Sequence, residues 1–92
     1  MIESFKHKGL RRFFEAGERR GLNPDHVDKI GFILLALHGA DEIEAMNLPT
    51  FRLHALTGDL KGYWSVTVRA NWRIIFRLEG GNAFDVDLTD YH

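Results

Sequence analysis

Apolar residues recur at three- and four-residue intervals through the first half of the chain and at alternate positions through the second, with the change near residue 50. Such a switch predicts helices first and strands after. Met1–Phe5 fits a short opening strand. Residues 7–18 then set Leu10, Phe13 and Phe14 at helical spacing, with Lys8, Arg11, Arg12 and Glu15 between them. Gly17 to Asn23 reads as a connection. A second helix has clearer punctuation: Asn23 suits an N-cap, Pro24 a first helical position, and Asp25 and Asp28 a first turn where the helix dipole favours negative charge. Val27, Ile30, Ile33, Leu34 and Leu37 form its apolar stripe, and Gly39 suits its end. A short helical turn is expected over Asp41–Met46, closed by Pro49.

From residue 51 the period is two. Phe51–Leu56 is expected to be a strand and Thr57–Gly62 a loop. Trp64, Val66 and Val68 alternate with Tyr63, Ser65, Thr67 and Arg69. Ala70–Asn71 predicts a tight reversal. Trp72, Ile74, Phe76 and Leu78 alternate with Arg73, Ile75 and Arg77, and Glu79–Asn82 is a turn by composition. Phe84, Val86 and Leu88 then alternate with Asp85, Asp87 and Thr89. Three half-buried strands joined by short turns make an antiparallel meander. The expected class is α+β, with two helices packed on one face of a small twisted antiparallel sheet. The other face would carry Arg69, Arg73, Arg77, Asp85 and Asp87, and, with Phe51–Leu56 in the sheet, Arg52 and His54 would lie together on one side of it.

The 92 residues fit a single domain, 1–92. There is no cysteine, which removes disulfides, thiolate nucleophiles and cysteine zinc sites. The charged start, MIESFKHKGLRRFF, is not a signal peptide, and the run Phe32–Leu37 is too short to span a bilayer. A cytoplasmic protein without membrane contact is expected. A net charge of −1 does not suggest a bulk nucleic-acid binder, but the charges come in blocks. Residues 1–23 carry six basic and three acidic groups, and residues 51–78 carry five and one. Acidic blocks lie between and after them. Such blocks either build a basic face or neutralise one another across the fold.

Arg73 and Arg77, four apart on a strand, share a face where guanidinium forks could meet phosphate. The alternative is pairing with Asp85 and Asp87 on the neighbouring strand. His7, His26 and His38 sit where helix ends explain them. His54, on the polar phase of a strand, and His92, behind Asp90 and Tyr91, are candidates for proton transfer, since imidazole titrates near neutral pH; a solvated tail is the plain alternative for His92. No HExxH, Walker loop, GxGxxG or GxSxG occurs, and neither a catalytic metal nor a cofactor is expected. Gly58–Gly62, with Lys61, is a weak phosphate-loop signal that an ordinary loop explains equally well.

Taken together, FRLHALTGDLKGYWSVTV, NWRIIF and the closing DVDLTDYH resemble the HigB toxins of the RelE/ParE-like superfamily, as does the opening MIESFKHKGLRRFFEAG. The resemblance spans essentially the whole chain. It implies a RelE-like, microbial-RNase-like sheet whose open face binds mRNA in the A site of the 70S ribosome. It also implies metal-independent cleavage by attack of the ribose 2′-hydroxyl on the adjacent phosphate. It gives catalytic roles to His54, Arg73, Asp90, Tyr91 and His92. Lys61 and Arg69 fall at basic positions that would meet mRNA or ribosomal RNA, with Arg52 and Arg77 on the same polar phase. The implied partner is a HigA-type helix-turn-helix antitoxin that also binds operator DNA. The alternative is a ParE-like toxin, which uses the same scaffold to act on DNA gyrase without cutting RNA; His54 with Asp90–Tyr91–His92 fits the nuclease branch better.

Overall fold

The computed structural model describes residues 1–90. Its first helix, α1 (Lys8–Ala16), begins where the His7 Nδ1 accepts a hydrogen bond from the Leu10 N–H at 3.1 Å. It ends at Gly17, whose φ of 72° is a left-handed conformation that glycine adopts without strain. Asn23 caps as expected: its Oδ1 accepts from the Asp25 N–H at 2.9 Å. Pro24–His26 forms a single 3-10 turn, and α2 (Val27–Gly39) follows directly. The expected stripe of Val27, Ile30, Ile33, Leu34 and Leu37 is buried. The turn after it is a 3-10 turn, Ile43–Met46.

Four strands form an antiparallel sheet in the order β1 (His54–Ala55), β2 (Trp64–Arg69), β3 (Trp72–Glu79) and β4 (Asn82–Asp90). The fold is therefore α+β, with two helices and a four-stranded sheet. Val66, Ile74, Phe76, Ala83 and Val86 join Leu10 and the α2 stripe in one hydrophobic cluster. Burial of that apolar surface is the main favourable term in folding. Because side chains alternate across a strand, Ser65, Thr67, Arg73, Ile75 and Arg77 lie on the opposite sheet face.

Four local readings of the sequence change in the structure. The strand expected over Phe51–Leu56 is confined to His54–Ala55. Arg52 has a φ of 50°, which breaks the extended run. Phe51 turns inward to full burial, and its carbonyl accepts from the Thr67 N–H at 2.7 Å. The second change is in β4, where the pairing jumps from Ile75↔Asp87 to Arg77↔Phe84. Asp85, at φ 57°, is the extra residue of a β-bulge. The bulge reverses the phase, so Ala83 and Val86 face the core and Phe84 packs beside Arg77, whose Cζ lies 4.9 Å from the ring centroid.

The third change is at the β2–β3 reversal. Thr67 faces Arg73, but Arg69 then faces Trp72, so Arg69 is out of phase with the cleft residues. The fourth is at the chain start. Residues 1–6 run parallel to β4 through isolated bridges, Ile2↔Ala83 and Phe5↔Val86, instead of forming a strand of the sheet. The Asp85 N–H, freed by the bulge, donates to the Ser4 Oγ at 2.8 Å.

Candidate functional site

A cleft of about 330 Å³ opens on the face opposite the cluster and is lined by Arg52, His54, Leu56, Ser65 and Arg73. The sheet register assembles it. His54 on β1 stands beside Ser65 on β2, Ser65 beside Ile75 on β3, and Ile75 beside Asp87 on β4. One row along, Thr67 stands beside Arg73, and Arg73 beside Thr89. His54 and Arg73 are thus two strands apart, and each strand spacing is about 4.8 Å. An imidazole and a guanidinium therefore line one cleft from different strands.

Arg73 is held in place. Its Nη1 donates to the Thr67 Oγ1 at 2.6 Å, one of the five N–H donors of a guanidinium. Arg52 reaches the cleft from a left-handed backbone, a conformation that costs a non-glycine residue energy and recurs at functional sites. Ser65, almost fully buried, and Leu56 form apolar and small-polar walls.

Arg77 lies on the same face but is engaged elsewhere. Its Nη1 meets the Glu79 Oε1 at 2.8 Å and its Nη2 meets the Asp85 Oδ2 at 3.5 Å. Tyr63 donates its hydroxyl to that same Asp85 oxygen at 3.1 Å. The hydrogen bond to Glu79 is the largest influence raising the Arg77 pKa above its ordinary value. Pairing with Asp85, the alternative left open by the sequence, is what the structure contains.

The other sequence candidates are dispersed. Lys61 is exposed, just after the 3-10 turn Gly58–Leu60, and Arg69 is exposed beside the β2–β3 reversal. Neither lines the cleft. Asp90 closes β4 opposite Trp72. Tyr91 and His92 lie outside the described residues. Among the described residues no three His, Asp or Glu side chains come close enough to hold a metal ion, and no helix is long and apolar enough to cross a membrane.

Thr67, Ser65 and Leu56 were not singled out by the sequence as site residues. The two polar ones carried a signal, since they share the polar phase of β2. What the sequence lacked was the register, which decides that Thr67 and not Arg69 stands beside Arg73.

A family model described as RelE-like toxin of type II toxin-antitoxin system HigB matches residues 3–92. The chain is 49% identical over 92 residues to the protein named Endoribonuclease HigB from Proteus vulgaris, with 100% of each chain covered. Its fold is similar to that of a YafQ mutant from E. coli, with a TM-score of 0.64 and 19% identity over 98% of this chain and 91% of that one. It is also similar to a chain of the heterotetrameric YoeB-YefM toxin-antitoxin complex from Staphylococcus aureus, with a TM-score of 0.63 and 14% identity over 100% and 98% of the two chains. At such identities the two solved structures speak for the fold alone.

Proposed function

The chain belongs to the RelE-like HigB toxins of type II toxin–antitoxin systems, and from that premise we propose that it is a metal-independent endoribonuclease that cuts mRNA in the ribosomal A site. The observation that carries this reading is the cleft in which His54 faces Arg73 across the sheet. The proposal takes residues 1–92 as one cytoplasmic domain, with both helices on one sheet face and the cleft face left for RNA.

In this mechanism the ribose 2′-oxygen attacks the adjacent phosphorus and gives its proton to a base. The bond from phosphorus to the 5′-oxygen breaks, and an acid protonates that oxygen. The products are a 2′,3′-cyclic phosphate and a 5′-hydroxyl. His54 and His92 share the two proton transfers, and Asp90 orients an imidazole. Arg73 faces the extra negative charge on the phosphorane, where a positioned donor contributes a few kcal/mol. Tyr91 stacks on a base, since aromatic rings suit single-stranded RNA. Arg52, Lys61, Arg69 and Arg77 supply positive potential for RNA, the last reduced by its two carboxylate partners. A HigA-type antitoxin with a helix-turn-helix is the proposed partner, and with it the toxin sits on operator DNA.

The test is single-turnover cleavage of mRNA on programmed ribosomes, with the product ends mapped. Cyclic-phosphate ends are expected, formed equally well when the toxin has been stripped with EDTA beforehand. His92→Gln is expected to abolish cutting while thermal unfolding shifts little. A metal requirement restored by adding zinc or manganese to the toxin would overturn the acid–base mechanism. Uncut mRNA together with inhibited gyrase would favour the ParE-like reading instead.

A further inference from the structure

We infer that Thr67 is a positioning residue for cleavage: it fixes the Arg73 guanidinium and, through its backbone, ties that arginine to the segment that carries Arg52 and His54. The inference rests on the proposed nuclease reading and deepens it. Thr67 and Arg73 are direct neighbours across β2 and β3, and the Arg73 Nη1 donates to the Thr67 Oγ1 at 2.6 Å. The same threonine gives its N–H to the Phe51 carbonyl at 2.7 Å. Phe51 is fully buried, and the next residue is Arg52 in its left-handed conformation. Two residues further on stands His54. One residue therefore joins the guanidinium side of the cleft to the imidazole side, by its side chain and its main chain respectively.

The physical consequence is preorganisation. A free arginine side chain loses much rotamer freedom when it is held in one geometry. A guanidinium already tied through one N–H meets the developing charge without that loss at the moment of reaction. Because the bond is present before the substrate arrives, it acts on the chemical step more than on substrate binding. Hydroxyl and methyl are nearly equal in size, so valine removes the bond and little else, whereas serine keeps it.

The experiment measures kcat and KM on programmed ribosomes for Thr67→Val, Thr67→Ser, Arg73→Ala and the double variant Thr67→Val/Arg73→Ala. Thr89→Val is the control, since Thr89 flanks Arg73 from the β4 side. Thr67→Val is expected to lower kcat about tenfold with KM changed less than about twofold. Thr67→Ser is expected to keep kcat within about threefold, and Thr89→Val likewise. In the Arg73→Ala background Thr67→Val should have no further effect, because the bond it removes is already gone. Full activity of Thr67→Val beside an inactive Arg73→Ala overturns the inference and leaves the nuclease reading standing. Loss in Thr89→Val equal to that in Thr67→Val overturns it too, since general polarity around Arg73 would then suffice. Full activity of Arg73→Ala removes Arg73 from the catalytic set and overturns the inference as well, whereas absence of cleavage by the unsubstituted protein overturns the nuclease reading itself.

Discussion

Arg73 and Arg77 lie four residues apart on one strand, and their surroundings give them different tasks. Arg77 has two carboxylate partners and a phenyl ring against it. Arg73 is bonded to a neutral hydroxyl and lines the cleft. Pairing with carboxylates cancels the charge that RNA would meet, whereas a hydroxyl orients the guanidinium and leaves its charge intact. Arg73→Ala is therefore expected to lower single-turnover cleavage by about a hundredfold or more, and Arg73→Lys to restore little, because a point charge replaces a planar fork. Arg77→Ala is expected to change cleavage less than about fivefold in the same assay, while its melting temperature falls slightly. The sequence showed that the two arginines share a face, and it carried both readings of Arg77. Which one holds depends on Glu79 and Asp85 meeting the guanidinium together, and a bulge sets the position of Asp85.

Turns and bulges are the elements where local pattern and fold diverge. The helices follow their stripes because the backbone hydrogen bonds that set their period join residues four apart. β4 does not follow strict alternation, because the extra residue at Asp85 turns Ala83 inward and Phe84 outward. Nothing near Phe84 in the sequence marks that change; it arises from pairing with β3 on one side and residues 1–6 on the other. Phe51 offers a similar lesson, since its burial is fixed by the distant Thr67 N–H. Both places store backbone strain, as does Ala70 at φ 52° in the β2–β3 reversal. A left-handed L-residue costs roughly 1–2 kcal/mol, and glycine relieves it at some cost in chain entropy. Ala70→Gly is expected to raise stability by about 0.5 kcal/mol in urea unfolding. Asp85→Val is expected to lower it by about 1–3 kcal/mol, since a β-branched residue tolerates φ 57° poorly. A neutral result for Asp85→Val would mean that the bulge can move along β4.

At the scale of the molecule, one sheet divides labour between its faces. Val66, Ile74 and Phe76 are fully buried on one, and Arg73 and His54 line a cleft on the other. Truncating Phe76 to Ala is expected to cost about 3–5 kcal/mol, enough to unfold much of a small protein at 37 °C. The cleft contributes no comparable core, so its variants should remain folded when followed by circular dichroism. In the proposed reading the ribosome helps to orient the substrate, so mRNA on the ribosome is expected to be cut at least about a hundredfold faster than the same RNA free in solution. Equal rates would place all of the orienting power in the toxin. The parallel pairing of residues 2–5 with residues 83–86 has a consequence for how the molecule comes into being. Ser4 and Asp85 are bonded across 81 positions of sequence, so this contact closes a loop almost as long as the described chain. Contacts of such long range form late and slowly. The amino-terminal segment emerges first during synthesis and then waits for β4, the strand that also sets the far edge of the sheet. As long as residues 83–86 are unmade or sheltered in the exit tunnel, the nascent chain has helices but no finished sheet. The proposed site, which draws Asp90 from the end of that strand, is therefore completed only with this closure.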